Sequence, residues 1–212
     1  MRQQPSALLT GTGVVPILRG GTGEHLPAVI DTLVANGIPV LEITTNTPGV
    51  FEAVAAARDR YGDAVELGVG TVRTVAHVEA AARAGARFIV CPHIDPGLGA
   101  AAADHGLAFY PGAFTATEVL TAWNAGATAV KVFPASVAGP RYLKELHGPL
   151  DDIPLLPTGG VTVELVPEYL AAGAIAVGMG GPLVGDALSG GDLTALADRA
   201  RRVRAAIARA RS

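Results

Sequence analysis

Two charged residues lie inside runs that otherwise read as apolar strands. Lys131 sits in Thr128-Ala-Val-Lys-Val-Phe-Pro134, and Glu42 interrupts Pro39-Val-Leu-Glu-Ile-Thr-Thr45. Lysine is scarce in this chain, since Lys131 and Lys144 are the only two among 16 basic residues. Lys144 falls in Arg141-Tyr-Leu-Lys-Glu145, a helical stretch where a solvated cation is ordinary. An amine in a buried strand is different, because burial disfavours the charged form and leaves more of it as a free nucleophile. Such an amine can attack a ketone and form an imine, whose protonated nitrogen is an electron sink for carbon–carbon cleavage. That chemistry needs protons moved when the carbinolamine forms, when the bond breaks and when the ketone returns, and a neighbouring carboxylate could carry them. The plainer alternatives are a snorkelling lysine and an inert Lys131–Glu42 ion pair.

Two late glycine segments, Pro157-Thr-Gly-Gly-Val161 and Gly178-Met-Gly-Gly-Pro182, could expose backbone N–H groups to a phosphate, with Arg19 as the matching cation. Glycine doublets also serve tight turns, so this signal is weak alone. His93 and His105 are separated by a predicted helix, and no His, Asp or Glu cluster has metal-ligand spacing, so no metal is expected. The single cysteine, Cys91, follows the apolar run Phe88-Ile-Val90 and reads as a buried structural thiol. No Gly-x-Ser-x-Gly elbow is present.

The elements that must hold these residues alternate. Strand-like runs recur at Val14-Leu18, Val40-Thr44, Val65-Val69, Phe88-Cys91, Leu107-Tyr110, Ala127-Phe133, Ile153-Leu156 and Ala174-Gly178. Ala-rich amphipathic stretches such as Glu52-Arg60, Val75-Ala84 and Thr117-Asn124 lie between them. Gly37, Gly85, Gly106, Gly126 and Gly173 fall where a left-handed residue would end each helix. Short, continuously apolar strands in βα units predict a single-domain α/β chain folded as a (β/α)₈ TIM barrel over residues 1–212. A Rossmann or flavodoxin-like sheet competes, but Gly20, Gly21 and Gly23 have the wrong spacing for the dinucleotide fingerprint. The Arg-rich tail from Asp198 to Arg211 reads as the solvated face of a last helix.

Barrel chemistry comes from the C-terminal ends of strands and the loops beyond them. This rule selects Arg19; Glu42, Thr44 and Asn46; Thr71; Pro92 and His93; Lys131; Thr158, Gly159 and Gly160; and the segment from Gly178 through Gly180 and Gly181. With 50% hydrophobic and 17% charged residues and a net charge of -3, the chain is compact and has no footprint for wrapping nucleic acid. No apolar stretch approaches the roughly 20 residues of a membrane span, and the first nine residues lack the pattern of a secretory signal. A cytoplasmic protein is therefore expected.

The segments Val15-Pro-Ile-Leu-Arg19, Leu41-Glu-Ile-Thr44, Gly68-Val-Gly-Thr-Val72, Lys131-Val-Phe-Pro134 and Pro157-Thr-Gly-Gly-Val161 resemble the 2-keto-3-deoxy-6-phosphogluconate aldolases. That family includes relatives acting on 4-hydroxy-2-oxoglutarate and on the 6-phosphogalactonate epimer. The resemblance implies that Lys131 forms the imine, Glu42 is the general acid/base and Arg19 lies near the phosphate end. It implies further that Thr71 lies near the pyruvyl carboxylate, Phe133 and Pro92 wall the pocket, and Gly159 and Gly160 donate to phosphate. The implied reaction is a cofactor-free class I cleavage to pyruvate and glyceraldehyde 3-phosphate, usually by a homotrimer. Two positions depart from the pattern: Asn46 stands where some members have arginine, and Gly181 where a serine is common. Asn46 resembles the galactonate branch, whereas Thr158 resembles the gluconate branch, in which it can bond a substrate hydroxyl. A phosphosugar isomerase or epimerase, with Glu42 abstracting a proton and Lys131 polarising an oxygen, is the rival enzyme. A passive binding barrel would gain little from two desolvated charges.

Overall fold

The computed structural model describes residues 2–212. A short helix α1 (Ala7–Thr12) precedes β1 (Val14–Leu18), α2 (Leu26–Ala35) and β2 (Val40–Thr44). Then follow α3 (Val50–Tyr61), β3 (Glu66–Gly70), α4 (Val75–Arg83), β4 (Phe88–Val90) and α5 (Pro96–Asp104). The fifth strand is divided at Pro111 into β5 (Ala108–Tyr110) and β6 (Gly112–Ala113), and α6 (Ala116–Asn124) and β7 (Val130–Val132) come next. The chain closes with α7 (Ala135–His147), β8 (Leu155–Pro157), α8 (Val166–Ala171), β9 (Val177–Met179), α9 (Gly181–Val184) and α10 (Leu193–Arg211).

All eight expected strand runs contain strands, and the helices start where short polar side chains can cap them. Thr74 accepts from the His77 N–H, Asp95 from Gly97, and Thr115 with Glu118 closes a reciprocal capping box around α6. The five glycines expected to end helices all have positive φ, from +66° at Gly106 to +98° at Gly173. At Gly173 a side chain would also press on the His147 ring, so both backbone and space require glycine.

The strands run parallel. One sheet has the order β5-β4-β3-β2-β1-β9 and a second the order β6-β7-β8, with isolated parallel bridges Leu155–Ala174 and Thr158–Gly178 between the β8 and β9 regions. Pairing of the last strand with the first, Val15 to Gly178, curls this sheet. The result is an α/β fold with a curled parallel sheet. Inside the curl, Val15, Val40, Phe88, Tyr110 and Leu156 form a small apolar plug, with Phe88 and Tyr110 edge to face at 5.4 Å. Outside, a larger core lies between strands and helices, and α10 contributes Leu196, Ala200, Val203 and Ile207 to it while Arg201, Arg202 and Arg204 stay in solvent. The registers Ile17–Glu42, Glu42–Gly68 and Gly112–Lys131 bring residues distant in sequence to one end of the sheets.

Candidate active site

A cavity of about 500 Å³ opens at the C-terminal ends of the strands. Ten of the sequence-derived residues line it: Arg19, Thr71, Pro92, Lys131, Phe133, Thr158, Gly159, Gly160, Gly180 and Gly181. Ile17, Pro182, Val184 and Gly185 complete the lining and had no chemical signal in the sequence. Asn46 is exposed outside the cavity. Thr44 is buried, its hydroxyl 3.3 Å from the Leu18 carbonyl and 3.1 Å from the Thr47 hydroxyl. His93 does not line the cavity either.

Lys131 points from the middle of β7 and is 7% exposed. Its amine lies 5.0 Å from the centre of the Phe133 ring, which is 40% exposed and forms the cavity wall. Among the described residues Lys131 enters no salt bridge, so the inert ion pair with Glu42 is not formed. Glu42, 3% exposed, is in the centre of β2 and is not among the residues that line the cavity. Its carboxylate occupies the space above Gly70, where any Cβ would collide with Oε1 and Cδ. Burial raises the Glu42 carboxyl above its ordinary value of 4.5, and the charges of Lys131 and then Arg19 oppose this. Glu42 therefore keeps its proton to a higher pH than a surface carboxylate, as a group that must both give and take protons should. Cys91 is held at about 12 chiefly by burial, which makes it an unreactive thiol at neutral pH.

Thr71 follows β3 with φ +58°, the one non-glycine residue with positive φ among those described. Its hydroxyl accepts from an Arg19 guanidinium N–H at 3.2 Å, and its carbonyl accepts from the Thr45 hydroxyl at 2.8 Å. Contacts from β1 and from the loop after β2 thus hold it in a costly conformation, as is common where geometry serves function. Thr158, also on the cavity lining, is 2% exposed and donates to the Leu156 carbonyl at 3.2 Å. Its side chain fills the gap left by Gly178, where a Cβ would strike Oγ1. Gly159 and Gly160, at φ +92° and +75°, turn the chain so that their N–H groups donate to nothing among the described residues. Gly180 then caps the one-turn helix α9 without a side-chain bond. Backbone N–H groups at such glycine turns and at a helix start are suited to an anion. Among the described residues no group of three His, Cys, Asp or Glu is placed to hold a metal.

The chain is similar to known proteins over most of its length. The model of the "KDPG and KHG aldolase" family matches residues 6–198. The 2-dehydro-3-deoxy-6-phosphogalactonate aldolase of Escherichia coli (strain K12) is 38% identical over 171 residues, 80% of this chain and 83% of the relative. The chain belongs to the KDPG and KHG aldolase family. It is thus an aldolase, a carbon–carbon lyase. A solved structure described as native KDPGal superposes with a TM-score of 0.89 at 34% identity, covering 99% of this chain and 98% of the other. KDPG aldolase from Legionella pneumophila superposes with a TM-score of 0.84 at 27% identity, covering 95% and 98%. In that structure pyruvate is captured as a covalent carbinolamine intermediate.

The sequence did not single out Gly70, Thr45 or Thr47. Gly70 had a faint signal, since Gly68 and Gly70 alternate along β3 and so share its inward face. Thr45 and Thr47 act through hydroxyl bonds to other strands, which no local pattern announces.

Proposed function

We propose that this aldolase cleaves 2-keto-3-deoxy-6-phosphogluconate to pyruvate and glyceraldehyde 3-phosphate through an imine on Lys131. The observation that carries this reading is an amine, buried and free of ion pairing among the described residues, on the wall of a cavity beside a proton-retaining carboxylate. Lys131 Nζ attacks the C2 carbonyl, and loss of water from the carbinolamine leaves a protonated imine. Removal of the C4 hydroxyl proton breaks the C3–C4 bond, and its electron pair moves into the imine to give an enamine as the aldehyde leaves. Protonation at C3 and hydrolysis release pyruvate and restore the amine. Glu42 carries the protons, assisted by its raised affinity for them. Thr71 binds the pyruvyl end of the substrate, and Arg19 with the N–H groups of Gly159, Gly160, Gly180 and Gly181 serves the phosphate. Pro92 and Phe133 keep the imine in apolar surroundings. Pyruvate with borohydride should add a reduced pyruvyl group to the Lys131 peptide alone, and an unmodified Lys131 in active enzyme would remove this mechanism.

The gluconate substrate is favoured by Thr158. Its hydroxyl hydrogen is directed to Leu156, which leaves the oxygen lone pairs to accept from a substrate hydroxyl. A site built for such a bond loses more with the wrong epimer than an apolar site does. Thr158→Val should erode the preference between C4 epimers by about 1 to 3 kcal/mol, measured as the ratio of kcat/KM values. Equal values for both epimers in the unmodified enzyme would transfer the assignment to the galactonate substrate, the compound named for the Escherichia coli relative. 4-Hydroxy-2-oxoglutarate, which has a C5 carboxylate in place of the phosphorylated C5–C6 tail, is a further substrate under the same chemistry.

We also propose that the strands close as one (β/α)₈ barrel forming a single domain. Support comes from the β9–β1 pairing, the bridges between β8 and β9, and the continuity of β5 with β6 across Pro111. A homotrimer in the cytoplasm is the proposed working form. No helix of the described residues is long and apolar enough to cross a membrane.

A further inference from the structure

We propose that Thr47 is a positioning residue that sets Arg19 on the wall of the cavity beside Thr71. This rests on the reading of Arg19 as a substrate ligand. Thr47 is 1% exposed and lies in the loop after β2, held there by its own N–H to the Thr44 carbonyl at 2.9 Å. Its hydroxyl accepts the Gly20 N–H at 3.1 Å and lies 3.4 Å from the Leu18 carbonyl. Those two backbone groups flank Arg19 in sequence. Thr44, fully buried, doubles the grip on the Leu18 carbonyl at 3.3 Å and lies 3.1 Å from the Thr47 hydroxyl.

Arg19 itself is exposed and has no ion-pair partner among the described residues, so its backbone anchor and Thr71 determine where the guanidinium points. Thr71 is in turn tied back to the same loop through Thr45. The one loop between β2 and α3 therefore holds both ends of the Arg19–Thr71 contact: Thr47 holds the backbone of one partner and Thr45 the carbonyl of the other. Asn46, between them, faces solvent and takes no part. Lys131 and Arg19 are the cationic residues lining the cavity, and Lys131 is committed to the imine. A substrate with two anionic ends thus depends on a single guanidinium, whose aim matters correspondingly.

A double-mutant cycle tests this. Thr47→Val keeps the shape and removes the hydroxyl, and kcat/KM should fall about 10- to 100-fold, the usual penalty for misplacing a binding group by an ångström. The loss should appear mainly in KM, because the charge of Arg19 serves bound substrate and transition state alike. Thr47→Ser should restore most of the activity. In an Arg19→Met background, Thr47→Val should cost nothing more, because the group it positions is gone. Losses that multiply in the double variant, a serine variant as impaired as the valine one, or a destabilised Thr47→Val enzyme with unchanged KM would each overturn the proposal. If the valine variant does not fold, Thr47→Ala enters the same cycle. Pyruvate trapping on Lys131, read in parallel, separates the two layers: no adduct in the unmodified enzyme removes the aldolase mechanism. A crystal structure of the Thr47 variant then decides this inference on its own, since Arg19 still seated on Thr71 would refute it.

Discussion

At the scale of single residues, the balance at Glu42 is between burial and two cations, and burial wins. The direction of that balance separates a proton carrier from a counter-ion. Glu42→Gln keeps size and removes proton exchange, so turnover should fall ~10² to 10⁴-fold in folded protein. Stability gives an independent reading through linkage. The folded-state value is raised, so the contribution of Glu42 is full below 4.5 and is lost as pH rises through the folded value. Melting temperatures of the two proteins should coincide below pH 4.5, and Glu42→Gln should gain on the unmodified enzyme above it. A variant that instead loses stability at higher pH, with turnover nearly intact, would identify Glu42 as the ion-pair partner of Lys131.

At the scale of elements, the proposed phosphate site divides the work of binding an anion between the backbone groups of the loop after β8 and the helix α9. Gly181, the first residue of α9, has open space where a Cβ would be built, and its φ is not in the left-handed region. A serine there meets no steric or conformational obstacle. Gly181→Ser should add a hydroxyl donor to the phosphate and lower KM for phosphorylated substrate by about three- to tenfold, the equivalent of one hydrogen bond of roughly 0.5 to 1.5 kcal/mol. KM for unphosphorylated 4-hydroxy-2-oxoglutarate should not change. Equal effects on both substrates would mean that α9 does not face the phosphate. The helix is itself supported from α10, because Arg199 donates to the carbonyls of Leu183 at 2.7 Å and Val184 at 2.9 Å.

At the scale of the whole molecule, the first and last helices are tied together: Arg211 near the end of α10 donates to the Thr10 and Gly11 carbonyls of α1. Most apolar side chains are inside, yet Val137, just after the cavity wall on α7, is 72% exposed, and Val75 and Leu120 are each 44% exposed. Light scattering at micromolar concentration should give three times the 21.4 kDa chain mass. A Val137→Asp substitution should lower that mass if α7 is part of the contact, since a charge in a closed apolar contact is unfavourable. A monomer mass for the unmodified protein would remove the trimer.

The sequence alone determined which residues were out of place. Lys131 and Glu42 were legible because a charge in an apolar strand is visible locally, and the helix-ending glycines because a left-handed turn favours one residue type. The strands could be read from their apolar runs, although Pro111 divided the fifth, since proline lacks the N–H that a continuous ladder needs. Tertiary structure decided the rest. That Glu42 needs the bare backbone of Gly70, and Thr158 that of Gly178, follows from strand register. That Arg19, Thr71 and the loop of Thr45 and Thr47 form one assembly follows from three neighbouring strand ends meeting at one rim. Such contacts join residues 26 to 52 positions apart, polar groups that only the folded chain brings within hydrogen-bonding distance.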